Sequence, residues 1–204
     1  MKEDACVQPP VRLCLTVGED LLQCFCLLGG SGFTIRARTP CSVAELLCGQ
    51  LGVAADYLAG RVQTIFLDGS VVDDPATATV AAGSTIALSA ALPGVAGAVL
   101  RKDSSYAAMR RTISHANRVA LPAAAGQGRV VVKLFNMVQG ELGPAMLGRG
   151  VQVSGKALCD LFRGRSETFR SGILSARIDD RPVPPHVALE TDWTDQDIFL
   201  QVGS

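Results

Sequence analysis

The groups that could do chemistry in this chain are few. It has two histidines: His115 lies in a basic stretch and His186 follows Pro184-Pro185. No serine or cysteine motif accompanies either as the nucleophile of a base-activated pair, so both read as exposed loop residues. The seven cysteines could supply thiolates. Cys24 and Cys26 form a C-x-C, while Cys41 and Cys48 sit on or beside a helix. Neither spacing is that of a zinc site, and the ligand run of a plant-type iron-sulfur cluster is absent. An odd number of cysteines in a chain without an export signal implies reduced thiols, most of them small packing residues. Gly29-Gly30-Ser31-Gly32 lacks the lysine and spacing of a phosphate-cradling loop. Asp73-Asp74 and Asp179-Asp180 lie near hairpin turns, where aspartate bonds its own backbone. No catalytic, cofactor-binding or metal-ligating residue is expected, and no cofactor.

The elements around these residues are easier to read. Hydrophobic residues make up 48% of the 204 and charged residues 19%, with lysine plus arginine equal to aspartate plus glutamate at nineteen each. That describes an ordinary globular chain of one or two domains, with no global field to favour nucleic acid or an anionic membrane. MKEDACVQPP has no apolar run of signal-peptide length and no stretch reaches the ~20 apolar residues of a membrane span, so a cytoplasmic protein is expected. Val11–Val17 alternates as a strand, 19–28 is helix-compatible, and Phe33–Arg38 alternates again. Ser42-Val43-Ala44-Glu45 is a capping box opening a helix over 42–58, with Val43, Leu46 and Leu47 as its apolar stripe. Thr64–Leu67, Asp68-Gly69 and Val71-Val72 spell a hairpin, and Thr85–Leu88 a last strand ended by Pro93-Gly94. The order then returns: a strand at 130–135, another at 150–154, a helix with Leu158, Leu161 and Phe162, a strand-turn-strand around Asp179-Asp180, and a closing strand at 195–202.

Helix, strand, turn, short strand, loop, last strand and glycine-containing tail resemble the β-grasp of ubiquitin-like proteins, most of all the small sulfur carriers of molybdopterin and thiamine synthesis. The resemblance implies an α+β fold of two tandem β-grasp units, each a mixed sheet packed on one main helix with its first and last strands parallel at the centre. The expected layout is an N-terminal tail at 1–10, a first unit at 11–100, a basic helical or flexible linker at 101–128 and a second unit at 129–204. Sulfur carriers work through a thin terminal Gly-Gly whose carboxylate is adenylated and thiocarboxylated. Ala91–Gly97, with Pro93, Gly94 and Gly97, is the candidate tail, and Gly203 stands near the end. Ala96 precedes Gly97 and more than a hundred residues follow it; Gly203 is followed by serine.

The expected function is therefore a non-catalytic tandem ubiquitin-like protein that binds protein partners, a carrier-activating enzyme or a cofactor-synthesis enzyme among them, and neither nucleic acid nor membrane. The alternative is a carrier precursor cut near Gly97 and thiocarboxylated for sulfur transfer. The linker's Arg101, Lys102, Arg110, Arg111 and Arg118, against Asp103 alone, form the candidate interaction patch.

Overall fold

Alternation of apolar and polar side chains builds the strands. In a computed structural model, which describes residues 9–90 and 126–204, β1 (Val11–Val17) buries Leu13, Leu15 and Val17 and exposes Arg12 and Thr16. Helices α1 (Glu19–Cys26) and α2 (Leu28–Ser31) follow. β2 (Phe33–Thr39) buries Phe33 and Ala37, and β3 (Cys41–Ser42) is short. Ser42 caps as expected, its Oγ accepting from the Glu45 N–H at 3.0 Å. The helix it opens, α3 (Glu45–Gln50), is wound wide, with the Leu51 N–H reaching the Leu46 carbonyl five residues back at 2.9 Å. Gly52, at φ 71°, follows it, and α4 (Ala55–Gly60) is a second helix. The single helix expected over 42–58 is therefore broken.

The hairpin is where the sequence places it. β4 (Thr64–Leu67) and β5 (Ser70–Val71) join through Asp68 and Gly69, both at positive φ (51° and 82°), the backbone a two-residue hairpin favours. β6 (Thr79–Val80) pairs with β3. The Asp68 carboxylate accepts from the Thr85 N–H at 2.7 Å and the Ser84 hydroxyl at 3.0 Å, tying the turn to β7 (Thr85–Ser89). The later elements are β8 (Gly126–Phe135), α5 (Met137–Arg149), β9 (Val151–Ser154), α6 (Gly155–Phe162), α7 (Glu167–Ser171), β10 (Ile173–Ile178), β11 (Arg181–Val183), α8 (Pro185–Glu190) and β12 (Asp197–Gly203). Residues 126–128 thus belong to a strand rather than to a linker.

Strand pairing departs from expectation. The described chain is α+β, with mixed pairing and several helices, but it does not form two tandem β-grasp units. Its compact units are residues 1–28 with 147–204, and residues 29–146, rather than 11–100 and 129–204. In the first the strands run β11-β10-β1-β12-β9. β1 is parallel to β12, Leu15 opposite Val202, and antiparallel to β10. In the second they run β2-β8-β7-β4-β5. β8 is parallel to β7, Val131 opposite Thr85, and antiparallel to β2. Each unit has the central parallel pair, with the opening strands exchanged: β1 joins the closing strand of the later half, and β8 that of the earlier half. Leu13-Leu15-Val17 and Val130-Val132-Leu134 offer the same buried stripe, so period-2 patterning alone does not choose between the two sheets.

Each unit has its own core. In the first, Phe25 of α1 stacks on Phe169 of α7 at 6.0 Å between centroids, and Phe162 of α6 meets both edge-on. Truncating one such buried ring costs about 3–5 kcal/mol. Trp193 is buried with its indole N–H donated to the Ala188 carbonyl at 3.0 Å. Gly155 lies so close beneath it that a Cβ would fall 1.8 Å from the Trp193 carbonyl oxygen. In the second unit Val43, Leu46 and Leu47 are fully buried, as are Ile65, Ile86, Val130, Val132 and Leu134 of the sheet. Among the described residues no helix is long and apolar enough to cross a membrane.

Candidate interaction surface

The sheet of the second unit has a second face, which carries charge. Along β2 the residues alternating with Phe33 and Ala37 are Thr34, Arg36 and Arg38; along β8 those alternating with the buried valines are Arg129, Val131, Lys133 and Phe135. The antiparallel register sets Arg36 directly opposite Arg129 and Thr34 opposite Val131. β7 adds Ala87 opposite Lys133, and β4 adds Phe66 opposite Ala87. Arg36, Arg38 and Arg129 are exposed and Lys133 half-buried. Gly32, at φ 119°, lies beside this face: a Cβ there would fall 2.8 Å from Val131 Cγ1, too close to be accommodated, and at an ordinary 3.5 Å from Lys133 Cγ.

No described residue neutralises these cations. Among the described residues none of the four side chains makes an ion pair or a hydrogen bond. Like charges directly opposed across a strand pair destabilise a sheet by about 0.2–1 kcal/mol relative to neutral residues. The fold draws no stability from the Arg36–Arg129 pair.

The first unit is the contrast. On the outer side of β1, Arg12 sits 5.3 Å from the centroid of the Phe199 ring and 3.8 Å from the Asp180 carboxylate. Arg177 donates to the Asp180 carbonyl at 3.0 Å, Ser175 to Thr16 at 3.0 Å, and Gln152 to the Asp197 carboxylate at 2.8 Å. That surface is internally satisfied.

A second polar cluster, between α4 and α5 of the second unit, is equally closed. The Glu141 carboxylate on α5 accepts from the Tyr57 hydroxyl of α4 at 2.6 Å and from Arg61 Nε at 3.0 and 3.1 Å, with Arg61 Nη2 also bonded to it. Bonds from Arg61 and then Tyr57 hold the Glu141 carboxyl at about 2, well below its ordinary 4.5. Burial, and then the bond to Glu141, push the Tyr57 phenol above its usual range. Both carboxylate oxygens are occupied, so this is a clamp between helices and not a general base.

The residues singled out in the sequence fall elsewhere. Pro93, Gly94 and Gly97, the basic patch Arg101, Lys102, Arg110, Arg111 and Arg118, and His115 lie outside the described residues. Gly203 is the last residue of β12, opposite Thr16 in parallel register, in a strand that lies between β1 and β9. His186 is exposed on α8. Among the described residues the six cysteines form no disulfide. Burial raises the Cys26 thiol to about 11 and raises that of Cys41, which leaves both protonated and unreactive at neutral pH. Among the described residues no group of His, Cys, Asp and Glu could hold a metal ion.

Sequence reasoning saw Arg36 and Arg38 on the polar side of a strand but missed the surface. The signal was two basic residues on the same alternation in RVVVK, Arg129 and Lys133; combining them with β2 required the pairing of β2 with β8. Comparison of the chain with protein-family models, with curated proteins and with solved structures finds no match.

Proposed function

We propose that this is a non-catalytic, cytoplasmic interaction protein of ubiquitin-like, β-grasp character, its two units having exchanged their opening strands, and that it acts by binding another protein without a cofactor. The observation that carries this reading is the outer face of the second unit, where four cations and a like-charged cross-strand pair stand without a counter-charge among the described residues. A fold tolerates such a local conflict where the charges serve recognition.

The carrier-precursor alternative has less support. A carrier freed by a cut after Gly97 would have to leave behind β8, which lies between its β2 and β7. Incubating the full-length protein with a sulfur-carrier activating enzyme and ATP is the test. The expected result is an unchanged intact mass and no adenylate; cleavage after Gly97 followed by adenylation would overturn the reading.

A further inference from the structure

We infer that the basic face of β2 and β8 binds an acidic, extended polypeptide segment, carboxylates over the Arg36, Arg38 and Arg129 end and apolar side chains over the Phe66 and Phe135 end. This rests on the interaction-protein reading above and names the partner's chemistry.

Charge complementarity selects the occupant. Arg36 and Arg129 are direct neighbours across the ladder, and Arg38 is two residues along the same face of β2, so three guanidinium groups gather at one end. Guanidinium forks match carboxylates in bidentate geometry and hold them more specifically than a lysine does. Toward the other end the charge thins to Lys133, then gives way to Ala87, the half-buried Phe66 and Phe135, which is 40% exposed. From Arg129 to Phe135 along β8 is about 20 Å at strand rise, the reach of roughly six extended residues. The face is therefore graded, anionic partner groups at one end and apolar ones at the other.

A nucleic acid fits these observations less well. Nucleic-acid-binding domains carry a strong basic excess that recruits the phosphate backbone at long range, whereas this chain is neutral overall with a pI near 6.7. Phosphates would find cations at one end of the face only.

The experiment measures fluorescence anisotropy of a labelled peptide of about twelve residues, long enough to span the face at strand rise, with glutamates in one half and leucine and phenylalanine in the other. The full-length protein is titrated beside two control probes, the same peptide with lysine for glutamate and a single-stranded oligothymidylate. Arg36→Glu is a safe variant for the fold, because it places a carboxylate opposite Arg129 and relieves the like-charge pair; its thermal midpoint should not fall. The acidic peptide is expected to bind the native protein, and to bind Arg36→Glu and Arg129→Glu about tenfold or more weakly, with the lysine peptide ignored by the native protein. Binding unaffected by either variant, no binding of the acidic peptide, or tighter binding of oligothymidylate than of the peptide would each overturn the inference. Adenylation of the full-length protein is read separately: it would sink the interaction-protein reading while leaving the peptide result standing.

Discussion

Glu141 is held in its ionised form by two neighbours. Its carboxyl sits at about 2 because Arg61 and Tyr57 both donate to it. A carboxylate depressed in the folded state adds stability that is fully present above its ordinary 4.5 and is lost as the pH falls toward 2. The side chains of Arg61 and Glu141 are 42% and 33% exposed, so solvent screens the pair and its contribution at neutral pH is small. Glu141→Gln should accordingly leave neutral-pH stability little changed and flatten the acid limb, the gap between native and variant midpoints closing between pH 4.5 and 2. Thermal unfolding across that range checks this; a gap that widens toward pH 2 would mean the ion pair is not the cause.

At the scale of elements, the Asp68-Gly69 turn sets the register of the β4-β5 hairpin. Gly69 has φ 82° and open space around its Cβ position, so a substitution there meets backbone strain and nothing else. Gly69→Val should cost about 1–2 kcal/mol, the penalty of placing a branched L-residue in the left-handed region. Urea denaturation should show a lower midpoint with an unchanged slope, and a change in slope would point instead to a disrupted hairpin. The broken helix at α3 and α4 belongs to this scale too. Val43, Leu46 and Leu47 on one apolar stripe announced a helix, but Gly52 stops it, and a glycine inside an apolar pattern is an ambiguous signal until its φ is known.

Across the whole molecule each unit draws strands from both halves of the sequence. A protease site placed after Gly97 tests this without changing a described residue. The N-terminal piece would keep β1, β2 and β7, the C-terminal piece β8 and β12, and each of the two central parallel pairs, β1 with β12 and β7 with β8, would have one strand from each piece. The two pieces are expected to co-elute from a sizing column in native buffer and to separate in denaturant. Separation in native buffer would mean that each half closes its own sheet.

The sequence by itself determined where the longer strands, the hairpin turns and the Ser42 cap lie, though not the two-residue strands β3 and β6, because alternation, positive-φ turn residues and capping side chains act within a few residues of one another. It also marked Leu158, Leu161 and Phe162 as core, and all three are buried. Which strand lies beside which was decided only by the tertiary structure. β1 and β8 have interchangeable apolar stripes, and nothing local records that β8 settles beside β2. Arg36 and Arg129 are neighbours for that reason alone: one is placed by FTIRAR and the other by RVVVK, more than ninety residues apart in the chain, and their meeting depends on a pairing that period-2 patterning leaves open.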